Sequence, residues 1–157
     1  MAEISIRLPQ KGGCQCGTVR YELTGLPIVF YLCHCSECQK QSSSAFGESL
    51  RVRAKDLKIE GDLAERERIS PSGKSVVGQF CPKCGTRLFH RRAGYAENLN
   101  IKAGTLDDTS WLRPAGHIWT LSKQTWFQIG PDEISYERQP ENDDDLTARW
   151  RQMIGAD

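Results

Sequence analysis

Short runs in which apolar and polar residues alternate dominate the chain. Between Thr18 and Leu23, the apolar residues Val19, Tyr21 and Leu23 fall on one face of an extended segment, with Arg20 and Glu22 on the other. Phe46, Leu50 and Val52 lie in a similar run. Further β-rich runs are Ile28 to Leu32, Lys74 to Phe80, Thr86 to His90, Leu99 to Ala103, His117 to Leu121 and Thr125 to Ile129. Glycines and Asp-containing stretches such as Leu57 to Gly61 and Gly104 to Asp108 read as the turns between them. Many short strands with frequent turns predict a mainly β fold, an antiparallel sandwich or barrel, over alternating strands and helices.

Helical signals are few. A short helix is expected after Ser36, from Glu37 to Ser42. A longer one is expected at the C-terminal end, where Leu146, Trp150, Met153 and Ile154 recur with the spacing of one helical face. Asn142 to Asp145 supply caps and first-turn negative charge for it, and Gly155 can end it.

The bulk numbers narrow the function classes. A length of 157 residues suits one domain with a sizeable core, and the whole chain, 1–157, is read as a single domain. Lys and Arg number 21 against 20 Asp and Glu, a formal charge of +1, which argues against direct nucleic-acid binding. No apolar run approaches the roughly 20 residues of a membrane span, and Met1 to Gln10 lacks the pattern of a secretory signal. The expected compartment is therefore the reducing cytoplasm, where 7 cysteines, an odd number, do not read as a disulfide set.

Those cysteines form three clusters: Cys14 and Cys16; Cys33, Cys35 and Cys38; and Cys81 and Cys84. Cys81-Pro82-Lys83-Cys84-Gly85 resembles a zinc knuckle, half of a tetrahedral site that Cys14 and Cys16 would complete. Metal bound by that quartet would tie the N-terminal strand region to the middle of the chain and contribute to folding. Cys33, Cys35 and Cys38 remain. Three protein ligands and a vacant fourth position are the pattern of a reactive zinc, able to hold a thiol as thiolate. The expected cofactors are thus two zinc ions. Other readings stand beside these. Cys81 and Cys84 can be a redox pair, although strand-like residues on both sides favour zinc. The second cluster can be closed by His34, or by the more distant His90 or His117. An iron–sulfur cluster is the weakest alternative, because the spacings differ from the common ferredoxin runs.

The same residues resemble the glutathione-dependent formaldehyde-activating enzyme family, which also includes centromere protein V. The resemblance runs through Gly12-Gly13-Cys14-Gln15-Cys16-Gly17, Cys33-His34-Cys35-Ser36-Glu37-Cys38, Phe80-Cys81-Pro82-Lys83-Cys84-Gly85, Gly104-Thr105-Leu106-Asp107-Asp108 and Pro114-Ala115-Gly116-His117-Ile118-Trp119. It spans roughly residues 10–130. It implies a zinc β-sandwich like that of methionine sulfoxide reductase B. It implies a structural zinc on Cys14, Cys16, Cys81 and Cys84 and a catalytic zinc on Cys33, Cys35 and Cys38. It also implies condensation of glutathione with formaldehyde to S-hydroxymethylglutathione, in reverse a carbon–sulfur lyase reaction.

The expected partners are glutathione or another small thiol and a small aldehyde. Lys40, Ser43 and Ser44 are candidate proton donors, and surface or turn roles compete with that assignment. Trp111, Trp119, Trp126, Phe127 and His117 can line a pocket, against a competing role in core packing. Two functions rival the enzyme: a carrier that binds glutathione without catalysis, and an interaction module in which both zinc ions are structural. The oligomeric state is not legible.

Overall fold

The computed structural model describes residues 3–156. It is mainly β, with two α-helices and two sheets. In chain order the elements are β1 (Gln10–Gly13), β2 (Arg20–Leu23), β3 (Val29–Cys33), α1 (Ser36–Ser42), β4 (Gly47–Arg53), β5 (Leu57–Glu60), β6 (Ala64–Ile69), β7 (Ser75–Phe80), β8 (Arg87–Arg92), β9 (Asn98–Ile101), β10 (Gly116–Ile118), β11 (Ile134–Ser135) and α2 (Asp144–Met153). The smaller sheet is antiparallel in the order β1-β2-β5, and the larger runs β11-β10-β3-β4-β9-β8-β7-β6.

Register sorts the large sheet into two unlike faces. Phe30 opposes Leu50, Leu50 opposes Ile101, Val52 opposes Leu99, and Phe89 opposes Ile101, so these apolar side chains share one face. That face is the core: Phe30, Leu50, Val52, Phe89 and Ile101 are almost fully buried. Tyr21 of the small sheet meets Phe89 edge-on with ring centroids 5.3 Å apart. Trp150 of α2 meets Phe30 at 6.3 Å and donates to the Pro27 carbonyl, so the helix stripe packs against the domain. The other face carries Tyr31, Cys33, Ser49, Arg51, His90 and Asn100, paired across the same strands, and holds the candidate site.

Both expected helices are present. Cys35 caps α1, its sulfur accepting from the Cys38 amide, and Ser43 ends it in the left-handed region. In α2 the residues Leu146, Trp150 and Met153 are buried, and Gly155 follows with φ +64°.

Four expectations are corrected. The large sheet is mixed, because β10 runs parallel to both β3 and β11. Leu57–Glu60 is a strand rather than a turn: a 3-10 turn at Ala54–Asp56 changes direction first, and Gly61, at φ +96°, makes the turn after it. The run from His117 stays extended only to Ile118, since Trp119 turns to φ 58° and starts a 3-10 turn. Thr125 to Ile129 forms no strand. A tight turn at Gln124–Phe127, braced by the Lys123 ammonium on the Gln124 and Phe127 carbonyls, swings Phe127 onto His34 and Phe46 and leaves Trp126 exposed.

Candidate metal centres

Cys14 and Cys16 flank the turn after β1, and Cys81 and Cys84 occupy the turn between β7 and β8. Gly85, at φ +79°, lets its amide return to the Cys81 carbonyl and closes the knuckle. The two turns are fastened by the Gln15 amide on the Thr86 hydroxyl at 3.2 Å. All four sulfurs lie within 4.8 Å of one another, with Cys14 to Cys16 at 3.6 Å and Cys16 to Cys81 at 3.8 Å. Sulfurs at about 2.3 Å from a tetrahedral zinc stand about 3.8 Å apart, so the quartet fits the ion in both chemistry and spacing. The surroundings favour thiolate at Cys84 and Cys14 and oppose it at Cys81. The Thr86 hydroxyl, the Thr86 and Cys16 amides and the Cys16 thiol lower the Cys84 pKa to about 5. Burial pushes Cys14 up, but the Val19 amide and the Cys16 and Cys81 thiols outweigh it. No helix follows Cys81 and Cys84, which removes the setting of a redox pair.

Cys33 ends β3, Cys35 caps α1 and Cys38 lies in its first turn, so one strand-to-helix corner gathers three buried sulfurs within 4.8 Å. Hydrogen bonds from the Cys33 and Cys38 thiols, with the Cys38 and Glu37 amides, hold Cys35 well below the ordinary thiol range. The Cys35 sulfur in turn, together with Cys38 and burial, holds Cys33 well above it. One negative charge is therefore easy at this corner and three need a cation, which is the demand a zinc ion meets. Both clusters can hold a metal ion and are compatible with zinc. Among the described residues no fourth protein donor joins the trio. His34 turns away: its Nε2 meets His117 Nδ1 at 2.9 Å, and His117 Nε2 meets Glu133 at 2.6 Å. His90 lies in the wall of the adjoining cleft without entering the donor set.

That cleft, about 210 Å³, runs from Cys33, Cys35 and Cys38 along the polar face of the large sheet. Tyr31, Ser49, His90 and Asn100 line its floor, and Arg51, Arg68, Lys74 and Arg92 surround it. Among the described residues no Asp or Glu lines it, and Asp143 pairs with Arg51 beside it. Arg68 Nη1, His90 Nδ1 and Asn100 Oδ1 are buried there without hydrogen-bond partners among the described residues. Burial, with Lys102 and three arginines nearby, holds His90 well below its ordinary pKa and neutral. A cavity of this kind suits an anionic ligand with at least one N–H to donate.

A second cleft, about 310 Å³, borders the trio from the side of Gly47. Half-buried Glu48, Arg87 and Lys102 line it. A β-carbon built at Gly47 would stand 3.3 Å from Cys38 Sγ and 3.5 Å from Lys102 Nζ, so the ammonium faces the sulfur across a bare α-carbon. Burial lowers the Lys102 pKa, and the Cys38 and Cys33 sulfurs oppose that shift.

The other expected site residues scatter. Lys40 and Ser43 are exposed, Ser43 serving as the α1 cap, while Ser44 lines the second cleft. Trp119 borders the first cleft, and Trp111 is buried against Trp150 with its indole on Gln10. Phe127 and His117 pack on His34, and Trp126 is 67 % exposed. Arg68, His90 and Asn100 of the first cleft, and Glu48 and Lys102 of the second, were not legible as cleft residues. The recoverable signal was the alternation of β8 and β9, which puts His90 and Asn100 opposite the apolar face.

A mainly β chain that gathers one quartet and one trio of cysteines defines a class of candidate two-metal thiol proteins. Residues 9–122 match the family described as glutathione-dependent formaldehyde-activating enzyme, and the chain belongs to that family. A crystal structure of a Rhodobacter sphaeroides protein shares the fold at 20 % identity and a TM-score of 0.50, over 80 % of this chain and 98 % of that one. No curated protein matches the chain significantly.

Proposed function

We propose that the chain joins glutathione to formaldehyde, with the thiol sulfur docked at Cys33, Cys35 and Cys38 and a carboxylate held in the arginine-lined cleft. The observation that carries this is the cleft itself: a three-sulfur corner opens onto a wall whose charged side chains, among the described residues, are all positive and whose buried polar atoms have no partner among them. The family supplies the glutathione and formaldehyde connection. In this proposal the trio holds one zinc and the quartet of Cys14, Cys16, Cys81 and Cys84 another. Residues 1–157 act as one zinc-binding domain in the cytoplasm, built on the sandwich plan of methionine sulfoxide reductase B.

A zinc ion on the trio would supply the Lewis acidity that ionises a thiol at neutral pH. The chain's own residues do the rest. Arg68 and Arg92 take the carboxylate, and Asn100 Oδ1 takes an amide N–H of the peptide. The Lys102 ammonium offsets the negative charge that builds up when a fourth sulfur joins three. The thiolate lone pair attacks the aldehyde carbon, a carbon–sulfur bond forms, and the C=O π pair moves to oxygen, which takes up, through solvent in the open cleft, the proton the thiol released. In reverse the same groups perform a carbon–sulfur lyase step.

Exchange NMR on formaldehyde and glutathione tests this. With protein, exchange between the free thiol and S-hydroxymethylglutathione should accelerate beyond the spontaneous rate, and Cys35→Ser should return it to that rate. Glutathione binding without acceleration would identify a carrier, and no binding would leave an interaction module.

A further inference from the structure

Docking a thiol sulfur at the trio and a carboxylate in the first cleft leaves the second cleft without an occupant. That cleft reaches the same sulfurs, because Gly47 is in its lining and a β-carbon there would touch Cys38 Sγ. Its polar groups are of two opposite kinds. Glu48 Oε2 and Gln41 Oε1 are buried oxygen acceptors with no hydrogen-bond donor among the described residues. Arg87 and Lys102 are half-buried cations that form no ion pair among the described residues. Burial pushes the Glu48 carboxyl's pKa up, and the Gly104 amide and Lys102 oppose that shift.

Half-buried charges and buried acceptors left unmatched are costly, and a ligand that supplies the missing partners recovers the cost. A simple anion would meet Glu48, and a simple cation would meet Arg87 and Lys102. A group carrying ammonium and carboxylate on one carbon satisfies both sets. We propose that the second cleft binds an α-amino-acid head group, Glu48 and Gln41 receiving the ammonium and Arg87 with Lys102 the carboxylate. This rests on the proposed docking of the thiol at the trio. The two clefts then read the two ends of one peptide thiol differently: a bare carboxylate in the acid-free cleft, a zwitterion in the mixed one. A γ-linked glutamyl residue presents that zwitterion, whereas an α-linked one has spent its α-carboxylate in the peptide bond. The site therefore distinguishes two isomers of equal composition and charge.

Calorimetric binding to the zinc-loaded protein, without aldehyde, tests this with glutathione, its N-acetyl derivative and the α-linked Glu-Cys-Gly isomer. Glutathione should bind about tenfold or more tighter than either analogue. Glu48→Gln should weaken glutathione about tenfold while leaving the N-acetyl derivative nearly unchanged, and Arg87→Gln should weaken glutathione while sparing the α-linked isomer. Zinc content and circular dichroism equal to wild type establish that both variants fold. Equal affinity for all three peptides, or equal loss on glutathione and the N-acetyl derivative in Glu48→Gln, overturns the head-group assignment while leaving thiol docking intact. Failure of all three to bind overturns both.

Discussion

Gly47 presses its α-carbon against Cys38: a β-carbon there would lie 3.1 Å from the Cys38 β-carbon and 3.3 Å from its sulfur. Glycine at this first residue of β4 thus sets how closely the strand approaches the three-cysteine corner. Gly47→Ala should force Cys38 outward by a few tenths of an ångström and weaken metal binding at the trio by about tenfold or more. Chelator competition should show one class of site weakened and the other, at Cys14, Cys16, Cys81 and Cys84, unchanged. Equal weakening of both classes would mean that Gly47 acts on the whole fold.

The two clusters should differ in what they support. The quartet bridges the β1–β2 turn to the β7–β8 turn, whereas the trio sits within one corner of consecutive chain. Cys84→Ser should therefore cost about 4 kcal/mol or more in urea unfolding of the zinc-loaded protein, and Cys35→Ser much less. Similar costs would remove the distinction between a folding metal and a working one.

Arg68 should govern affinity rather than turnover. Its Nη1 is buried in the first cleft with no hydrogen-bond partner among the described residues, so in the proposed docking its loss removes a charged contact to the carboxylate and leaves the sulfur corner intact. Arg68→Gln should raise KM for glutathione about tenfold with kcat little changed, and should not affect a neutral thiol such as mercaptoethanol. A fall in kcat alone would place Arg68 in the chemistry instead.

His34 should make the fold acid-sensitive. Burial, helped by the charges of His117 and Lys123, lowers its pKa from 6.5 to about 4. The fold therefore favours the neutral ring: its contribution is complete above 6.5 and drains away as pH falls toward about 4, because the unfolded chain binds the proton first. Urea midpoints of wild type should fall over that window more steeply than those of His34→Gln. Parallel slopes would assign the acid sensitivity to other groups.

Much of the scaffold was legible, and the reason lies in burial. Val19, Tyr21 and Leu23 alternate because one face of β2 is buried, and Leu146, Trp150 and Met153 recur because one stripe of α2 is. β6 escaped notice because Ala64-Glu65-Arg66-Glu67-Arg68-Ile69 has no apolar face to alternate: it is an edge strand held by pairing with β7. β5 was hidden by its charged residues Lys58 and Glu60. The cysteine groups were readable from spacing, since sulfurs two or three residues apart can converge locally. The arginine-lined cleft was not. Arg68, His90 and Asn100 come from β6, β8 and β9, and only the order of strands in the folded sheet assembles them.

The central claim is that four sulfurs enclose one metal ion while three hold a second with room for a thiol. Metal analysis of protein purified and kept reduced with excess zinc, then freed of loosely held ions, tests it most directly. Wild type should retain two zinc ions per chain and Cys35→Ser one, and glutathione should perturb only the ion that Cys35→Ser lacks. A single zinc in both proteins, with Cys33, Cys35 and Cys38 all open to alkylation in the wild type, would contradict it.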